Sequence, residues 1–200
     1  IEGPERGRVR VHGVGLHGLK PAPGPLYVGN SGTSMRLLSG ILSAQPFDTV
    51  MTGDASLAKR PMERIAKPLR LMGADIQTTG ERGTPPVSVH GVSTAAKGGL
   101  KGIHYDMPVA SAQVKSGVLL AGLWADGETS VTEPAPTRDH TERMLKGFGY
   151  EVKVQGATAT LRGGGKLTAT KIDVPSDISS AAFFLVAASI APNSDLTLEH

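Results

Sequence analysis

The sequence has no cysteine, which excludes a disulfide framework, a thiolate zinc site and a cysteine nucleophile. Aromatic residues make up only 4% of the chain, so the stacking surfaces used by single-strand nucleic-acid binders are missing. The longest apolar run, residues 181–188, is too short to cross a membrane. These absences favour a cytoplasmic protein with no membrane segment.

Charge also argues against a nucleic-acid partner. The 21 Lys and Arg residues are interspersed with 18 Asp and Glu residues, and the net charge is only +3. A mild, dispersed positive excess suits small anionic ligands better. The 200 residues, 39% of them hydrophobic, can form one large domain or two small ones. Because the chain starts at Ile1 without a methionine, we expect a piece of a longer protein.

Glycine and proline are frequent, at 26 and 14 residues, and predict short strands and many turns. A first repeat unit covers residues 26–91. Its predicted elements are a strand at 26–28, a helix from Met35 to Leu42, a strand at 48–52, a helix at 61–72 opened by Pro61, and paired strands ending near His90.

A second repeat unit covers residues 103–164 in the same order, with Gly73 and Gly149 at equivalent positions. Its predicted elements are a strand at 103–105, a polar helix start at 111–113 followed by a helix from Val114 to Leu123, a strand at 129–132, a helix at 139–148, a strand at 149–153 and its partner at 157–161.

A third, partial repeat is predicted after residue 166, with a strand at 171–174, a helix ending at Ile190 and a strand-like segment at 195–200. Repeats of this kind cannot bury their apolar faces alone, so neighbouring units must pack together. Residues 181–188 are apolar on all sides, which predicts helices inside and sheets outside. The predicted fold class is α/β, built from repeated β-α-β-α-β-β units, with the helix starts on one common rim.

Two of these helix starts have the composition of an anion site. The first contains Asn30, Gly32, Thr33 and Ser34 before Arg36, and free N–H groups at a helix N-terminus attract anions. The alternative is that serine or threonine only caps the helix and that Arg36 is solvated.

The second places Arg60 just before Pro61, where a guanidinium group can hold a carboxylate or phosphate. The alternative is an ion pair between Arg60 and Asp54.

Two further helix starts lie in the second repeat. Ser111 and Gln113 could bind a phosphorylated, hydroxylated ring, although capping by Ser111 explains the serine equally well, and Lys115 either projects beside them or faces water. Arg138 opens the fourth start. There His140 follows Asp139, but no Gly-x-Ser-x-Gly motif accompanies them, which argues against a hydrolase triad.

Four segments, taken in order, resemble the EPSP synthase family, the 3-phosphoshikimate 1-carboxyvinyltransferases. They are LYVGNSGTSMR at 26–36, GDASLAKRPM at 53–62, SAQVKS at 111–116 and TRDHTERML at 137–145. The SAQVK form resembles the bacterial subgroup that includes glyphosate-tolerant members. The resemblance covers nearly the whole chain.

This resemblance implies a transferase of the shikimate pathway, which supplies aromatic amino acids. Such enzymes transfer the enolpyruvyl group of phosphoenolpyruvate to the 5-hydroxyl of shikimate 3-phosphate and release phosphate. It implies no metal and no organic cofactor, glyphosate as an inhibitor, no nucleic-acid or membrane partner, and a monomeric full-length protein.

The resemblance also implies the site residues. Those for shikimate 3-phosphate are Ser111, Ala112, Gln113, Thr137 and Arg138. Those for phosphoenolpyruvate or glyphosate are Asn30, Gly32, Arg60 and Gln113. No residue of this chain is assigned a catalytic role.

By the same resemblance, residues 1–165 form most of the N-terminal, shikimate 3-phosphate-binding lobe, and residues 166–200 begin a second lobe. The family's early Lys-Ser motif and its acid/base carboxylates have no counterpart here, so the chain alone is expected to be inactive. One alternative is a piece that only binds shikimate 3-phosphate. Another, a related transferase for nucleotide sugars, normally needs a catalytic cysteine, which this sequence lacks.

Overall fold

The protein is described by a computed structural model that covers residues 1–92 and 99–199. It divides into two compact units, Ile1–Ala169 and Thr170–His200. The division of the chain into two lobes by the family resemblance stays a prediction.

The first unit contains two repeats preceded by a hairpin. Its strands and helices are β1 (Glu2–Glu5), β2 (Arg8–Arg10), β3 (Leu26–Tyr27), α1 (Gly32–Leu42), β4 (Thr49–Thr52), α2 (Glu63–Leu71), β5 (Asp75–Thr78), β6 (Val87–His90), β7 (His104–Asp106), α3 (Ala112–Gly122), β8 (Glu128–Thr132), α4 (His140–Gly147), β9 (Lys153–Gln155) and β10 (Thr158–Arg162).

The two repeats have the same sheet topology. The first sheet has the strand order β3-β4-β6-β5 and the second the order β7-β8-β10-β9. In each sheet the first pair is parallel and the other two pairs are antiparallel. The predicted β-α-β-α-β-β repeat is therefore confirmed.

Glycine ends the second helix of each repeat in the same way. Gly73 follows α2 with φ 96° and Gly149 follows α4 with φ 76°, a left-handed backbone that favours glycine. Ala74 N–H donates to the Leu69 carbonyl, and Tyr150 N–H donates to the Leu145 carbonyl. This paired hydrogen-bonding pattern is the Schellman motif, and it explains why the two glycines recur at one place.

Helices α1 and α3 lie inside the first unit, as predicted, whereas α4 is more exposed, with two of its eight residues buried. In α3, eight of eleven residues are buried. This helix packs against α1 and α2 of the first repeat and against β8, β10 and α4 of its own repeat. The two central helices approach closely at glycines: a Cβ built on Gly40 would lie 2.0 Å from the Gly117 carbonyl oxygen. This close packing fixes the relative position of the two helix starts.

Gly117→Ala is therefore expected to lower the free energy of unfolding by about 1–3 kcal/mol, the usual cost of overpacking. The added Cβ would lie 2.7 Å from Cδ1 of Ile65 and 2.8 Å from the Arg36 carbonyl oxygen. Urea unfolding followed by Trp124 fluorescence measures the change. Gly147→Ala is the matched control, because a Cβ there meets nothing within 4 Å. Equal stabilities of the two variants would contradict the argument.

Three predicted element boundaries in the first unit are wrong. Helix α1 begins at Gly32 rather than Met35, because the Ser31 side chain caps it. Helix α2 begins at Glu63, after its cap residue Met62, because the Met62 carbonyl accepts the first helical hydrogen bond, from the Ala66 N–H, whereas the Pro61 carbonyl accepts from Arg36. Strand β9 begins at Lys153 rather than Gly149. Residues 149 and 150 complete the Schellman turn, and the Tyr150 hydroxyl donates to the Arg162 carbonyl, so neither is free to start the strand.

The second unit contains α5 (Ile178–Ile190), which begins at a well-formed cap: the Asp177 carboxylate accepts from the N–H groups of Ser179 and Ser180. Hydrogen bonds from Ser180 and Ser179 lower the pKa of Asp177. Among the described residues of this unit, neither 171–174 nor 195–199 forms a strand.

The expectation that residues 181–188 would be buried is not met in this structure. No residue of α5 is buried, and Phe183 is 80% exposed. Periodicity showed correctly that the helix is apolar all round, but burial needs a packing partner, and α5 is the one helix among the described residues of its unit.

Candidate functional site

The first unit contains an open cleft of about 710 Å³ at the starts of the helices. Its polar lining side chains are Arg36, Arg64, Ser111, Gln113, Thr137 and Arg138. Three helix starts and the loop before α4 thus contribute to one surface. Four of the five residues predicted to bind shikimate 3-phosphate contribute polar side chains, and Ala112, the fifth, also lines the cleft.

The start of α1 brings Gly32 against two guanidinium groups. The Ser31 side chain caps this helix by accepting from the Ser34 N–H at 3.1 Å. A Cβ on Gly32 would lie 2.8 Å from Nη1 of Arg36 and 3.4 Å from Nη1 of Arg60. A side chain at position 32 would therefore have to displace the Arg36 guanidinium group. The capping interpretation and the anion-site interpretation are both compatible with this geometry, because the cap serine and the cationic groups lie side by side.

Of the four residues predicted to bind phosphoenolpyruvate, only Gln113 lines the cleft; Asn30, Gly32 and Arg60 do not. The Asn30 carbonyl accepts from the Gly32 N–H at 3.1 Å, so the backbone of Asn30 shapes the turn before α1. The residue is exposed and does not line the cleft described above. Its predicted contact with phosphoenolpyruvate stays a prediction.

Arg36 is held in place by three acceptors. It donates from Nη1 to Oε1 of Gln113 at 2.6 Å and to the Gly32 carbonyl at 3.3 Å, and from Nη2 to the Pro61 carbonyl at 3.0 Å. Burial lowers the pKa of Arg36, and the nearby Arg60 and Arg64 lower it further. These three cations create a positive potential without a carboxylate bonded to any of them among the described residues.

Gln113 joins the two repeats. While its Oε1 accepts from Arg36, its Nε2 donates to Oγ1 of Thr33 at 2.8 Å. Both ends of the amide are thus used to connect the start of α3 with the start of α1. Gln113, which is predicted to contact both substrates, thus lies between the starts of α1 and α3.

Ser111 caps α3, since its Oγ accepts from the Val114 N–H at 3.3 Å. Because this bond uses only a lone pair, the serine proton remains available to a ligand. Capping and ligand binding are therefore compatible, and the two interpretations left open by the sequence do not exclude each other.

Lys115 neither projects beside Ser111 nor faces water, so both expectations for it are wrong. Its side chain is 1% exposed, and Nζ donates to Glu133 Oε1 at 2.9 Å and to Glu142 Oε1 at 2.7 Å. Burial by itself would lower the pKa of Lys115, but the hydrogen bonds to Glu142 and Glu133 outweigh it and the pKa is raised. Glu133 also accepts from the Thr137 hydroxyl through its other oxygen.

At the fourth helix start, Thr137 and Arg138 line the cleft. Asp139 instead pairs with Arg143 at 2.8 Å on the exposed side of α4. No hydrogen bond between the Asp139 carboxylate and His140 is present among the described residues.

Arg60 has no ion pair among the described residues, and the suggested pairing with Asp54 is not formed. Asp54 instead accepts from the N–H groups of Ser56 and Leu57 at 2.9 and 2.8 Å, which caps the short 3₁₀ turn Leu57–Lys59. The guanidinium group of Arg60 therefore lies beside Gly32 without a partner carboxylate.

Sequence reasoning missed Arg64, Glu133 and Glu142. Arg64 had a usable signal, because it follows Arg60 by four residues, at the opening of a helix. The two glutamates had none, since only the packing of α3 against β8 and α4 brings them to Lys115.

Over residues 3–200 the chain matches the model of a family described as EPSP synthase (3-phosphoshikimate 1-carboxyvinyltransferase). The chain belongs to the EPSP synthase family. A 3-phosphoshikimate 1-carboxyvinyltransferase of Methylococcus capsulatus is 65% identical over 200 residues, and one of Halorhodospira halophila is 64% identical. Both alignments cover 100% of this chain and 44% of the relative.

A solved structure of EPSP synthase from Acinetobacter baumannii has the same fold. The two share 73% sequence identity with a TM-score of 0.84, over 94% of this chain and 41% of that one. The α/β fold predicted from the repeats is thus that of EPSP synthase structures. The chain spans less than half the length of the relatives it matches. No helix within residues 1–92 and 99–199 has both the length and the apolar character needed to cross a membrane.

Proposed function

We propose that the full-length protein transfers the enolpyruvyl group of phosphoenolpyruvate to the 5-hydroxyl of shikimate 3-phosphate and releases phosphate. The observation that carries this proposal is the convergence of four arginines and three helix starts on one region of the first unit. Arg36, Arg64 and Arg138 line the cleft, and Arg60 lies beside Gly32. Two multiply charged anions need such a concentration of donors to approach each other.

The wall formed by α3 and the loop before α4 suits shikimate 3-phosphate. The first N–H groups of α3, at Ala112 and Gln113, lack intrahelical acceptors and favour a phosphate group. Ser111 and Arg138 add donors, and Thr137 lies next to them. These five residues are the proposed shikimate 3-phosphate site.

Phosphoenolpyruvate is assigned to the adjoining wall, around Gly32, Arg60 and Gln113, with Asn30 at its edge. Glycine at position 32 leaves room for a ligand beside two guanidinium groups. Gln113 connects this wall with the shikimate 3-phosphate side. In this arrangement the described residues bind and orient the substrates, and positive charge around the cleft stabilises charge that develops during transfer.

The decisive experiment is a phosphate-release assay on the full-length protein. We expect phosphate release that requires both phosphoenolpyruvate and shikimate 3-phosphate. Release from phosphoenolpyruvate alone, or no release by a folded sample, would refute the proposed transfer.

For the 200-residue chain by itself we propose binding without turnover. The cleft lining lies entirely between residues 36 and 138, while the chain spans 44% of its relatives. Calorimetric titration with shikimate 3-phosphate should show weak binding. Turnover by the isolated chain would contradict this, and absence of binding would remove the binding-module alternative.

We further infer that the enzyme acts in the cytoplasm as a monomer, without a nucleic-acid partner, and that glyphosate inhibits it. The interspersed charges and the low aromatic content support the absence of nucleic acid. Residues 1–165 are proposed as most of the N-terminal lobe and residues 166–200 as the beginning of the second.

Gly32→Ala is expected to raise the inhibition constant of glyphosate by about ten-fold or more, because a methyl group would crowd Arg36 and Arg60 in the proposed pocket. Inhibition constants of the full-length variant and the parent protein provide the measurement. Gly24→Ala serves as control, since a Cβ there contacts nothing within 4 Å. An unchanged constant in Gly32→Ala would place the glyphosate pocket elsewhere.

A further inference from the structure

The hydrogen-bond directions around Thr137 differ from those of the other polar groups in the cleft. Arg36, Arg64 and Arg138 can only donate. Ser111 accepts from a backbone N–H and keeps its proton for a ligand. Thr137, in contrast, donates its proton to Oε2 of Glu133.

Glu133 can only be the acceptor in this bond. Its other oxygen, Oε1, accepts from the ammonium group of Lys115 at 2.9 Å, and an ionised carboxylate has no proton to donate. Its side chain is 12% exposed, so water competes little for these oxygens. Lys115 is in turn held by Glu142 at 2.7 Å, which anchors the carboxylate of Glu133 to α4.

A threonine hydroxyl has one proton and two lone pairs. With its proton committed to Glu133, Thr137 presents only lone pairs to the cleft. Lone pairs repel a phosphate oxygen but accept a proton from a neutral hydroxyl group. Gln113 Oε1, the other side-chain acceptor named here, already accepts from Arg36 at 2.6 Å.

We propose that Glu133 is a positioning residue that makes Thr137 a hydrogen-bond acceptor, so that Thr137 recognises a ring hydroxyl of the ligand and not its phosphate. This inference rests on the proposed function, which supplies a ligand that has both groups. The donors of Ser111, Arg138 and the α3 N-terminus then hold the phosphate, while Thr137 orients the ring by a hydroxyl group.

Three variants of the full-length protein test this. Thr137→Val removes the hydroxyl with little change in shape, and Thr137→Ser keeps it. Glu133→Gln keeps an oxygen for Lys115 but places an amide N–H₂ opposite Thr137, which reverses the direction of the bond. Lys115 remains paired with Glu142 in this variant.

Binding of shikimate 3-phosphate and of its 4-deoxy and 5-deoxy analogues is measured by calorimetric titration. We expect Thr137→Val and Glu133→Gln each to weaken the binding of shikimate 3-phosphate by about ten-fold, which is the effect of one hydrogen bond to a desolvated group. One of the two deoxy analogues should bind the parent protein and both variants equally. Thr137→Ser should stay within about two-fold of the parent protein.

If Thr137→Val loses the same affinity for shikimate 3-phosphate and for both analogues, Thr137 contacts the phosphate. That result would overturn this inference and leave the proposed function standing. A loss in Thr137→Val but none in Glu133→Gln would show that Glu133 does not set the bond direction. If Glu133→Gln does not fold, the affinities of Thr137→Val and Thr137→Ser for the three ligands decide whether the Thr137 hydroxyl binds a ring hydroxyl. No binding of shikimate 3-phosphate by the parent protein would overturn the proposed function and this inference with it.

Discussion

Replacing Lys115 with methionine is expected to lower the free energy of unfolding by about 3–5 kcal/mol, because removing one partner of a buried ion pair leaves uncompensated charge. Glu133 and Glu142 both bond to the Lys115 ammonium, whose side chain is 1% exposed. Glu142 depends on it most, since its Oε2 has no hydrogen-bond partner among the described residues. Urea unfolding of the 200-residue chain, followed by Trp124 fluorescence, measures the loss.

Arg143→Met is the matched control, since it also removes a cation that pairs with a carboxylate. Its pair with Asp139 lies on the exposed face of α4, where solvent screens the interaction, so we expect no measurable loss. Combining Lys115→Met with Glu142→Gln should recover part of the lost stability, because fewer carboxylates remain buried and unpaired. Similar stabilities for Lys115→Met and Arg143→Met would refute the importance of the buried cluster.

Arg60→Ala is expected to reduce kcat/KM for phosphoenolpyruvate by roughly a hundred-fold, which corresponds to a charge-assisted hydrogen-bonded contact of about 2–3 kcal/mol. Arg60 has no carboxylate partner among the described residues, so its guanidinium group is free to bind an anionic ligand beside Gly32. Steady-state kinetics of the full-length protein at saturating shikimate 3-phosphate provide the measurement.

Lys59→Ala removes the neighbouring exposed cation and is expected to change kcat/KM little. Arg60→Lys should give an intermediate loss, because lysine keeps the charge but lacks the planar pair of donors. Equal kinetics for Arg60→Ala and the parent protein would remove Arg60 from the phosphoenolpyruvate site. Equal losses in the two alanine variants would show that only the overall positive charge matters.

Predictions from the sequence succeeded where the cause was local. The cap at Ser111 and the recurring glycines Gly73 and Gly149 act within a few residues of themselves, so the helices they bound were located closely. The boundary at residues 149–153 failed because the Gly149 and Tyr150 N–H groups close the turn after α4 and the Tyr150 hydroxyl bonds to Arg162, twelve residues away. Local preference does not include such a contact.

The orientation of the Lys115 side chain likewise could not be predicted from its sequence neighbours. A lysine near a polar helix start suggested exposure, yet its side chain enters the protein because Glu133 and Glu142 meet there. The exposure of α5 is the opposite case, in which an apolar helix has no buried residue. In both cases a side chain's surroundings depend on elements distant in sequence.

The sequence alone determined that the helix starts would carry arginine, serine and threonine side chains and that two repeats would share one fold, since capping, turn chemistry and periodicity are short-range properties. Only the tertiary structure decided which groups meet. Packing through Gly40 and Gly117 brings α1 and α3 together, so that Arg36 reaches Gln113 across the two repeats. It also decided that Thr137 gives its proton to Glu133, because hydrogen-bond direction depends on partners that only the folded chain brings within reach.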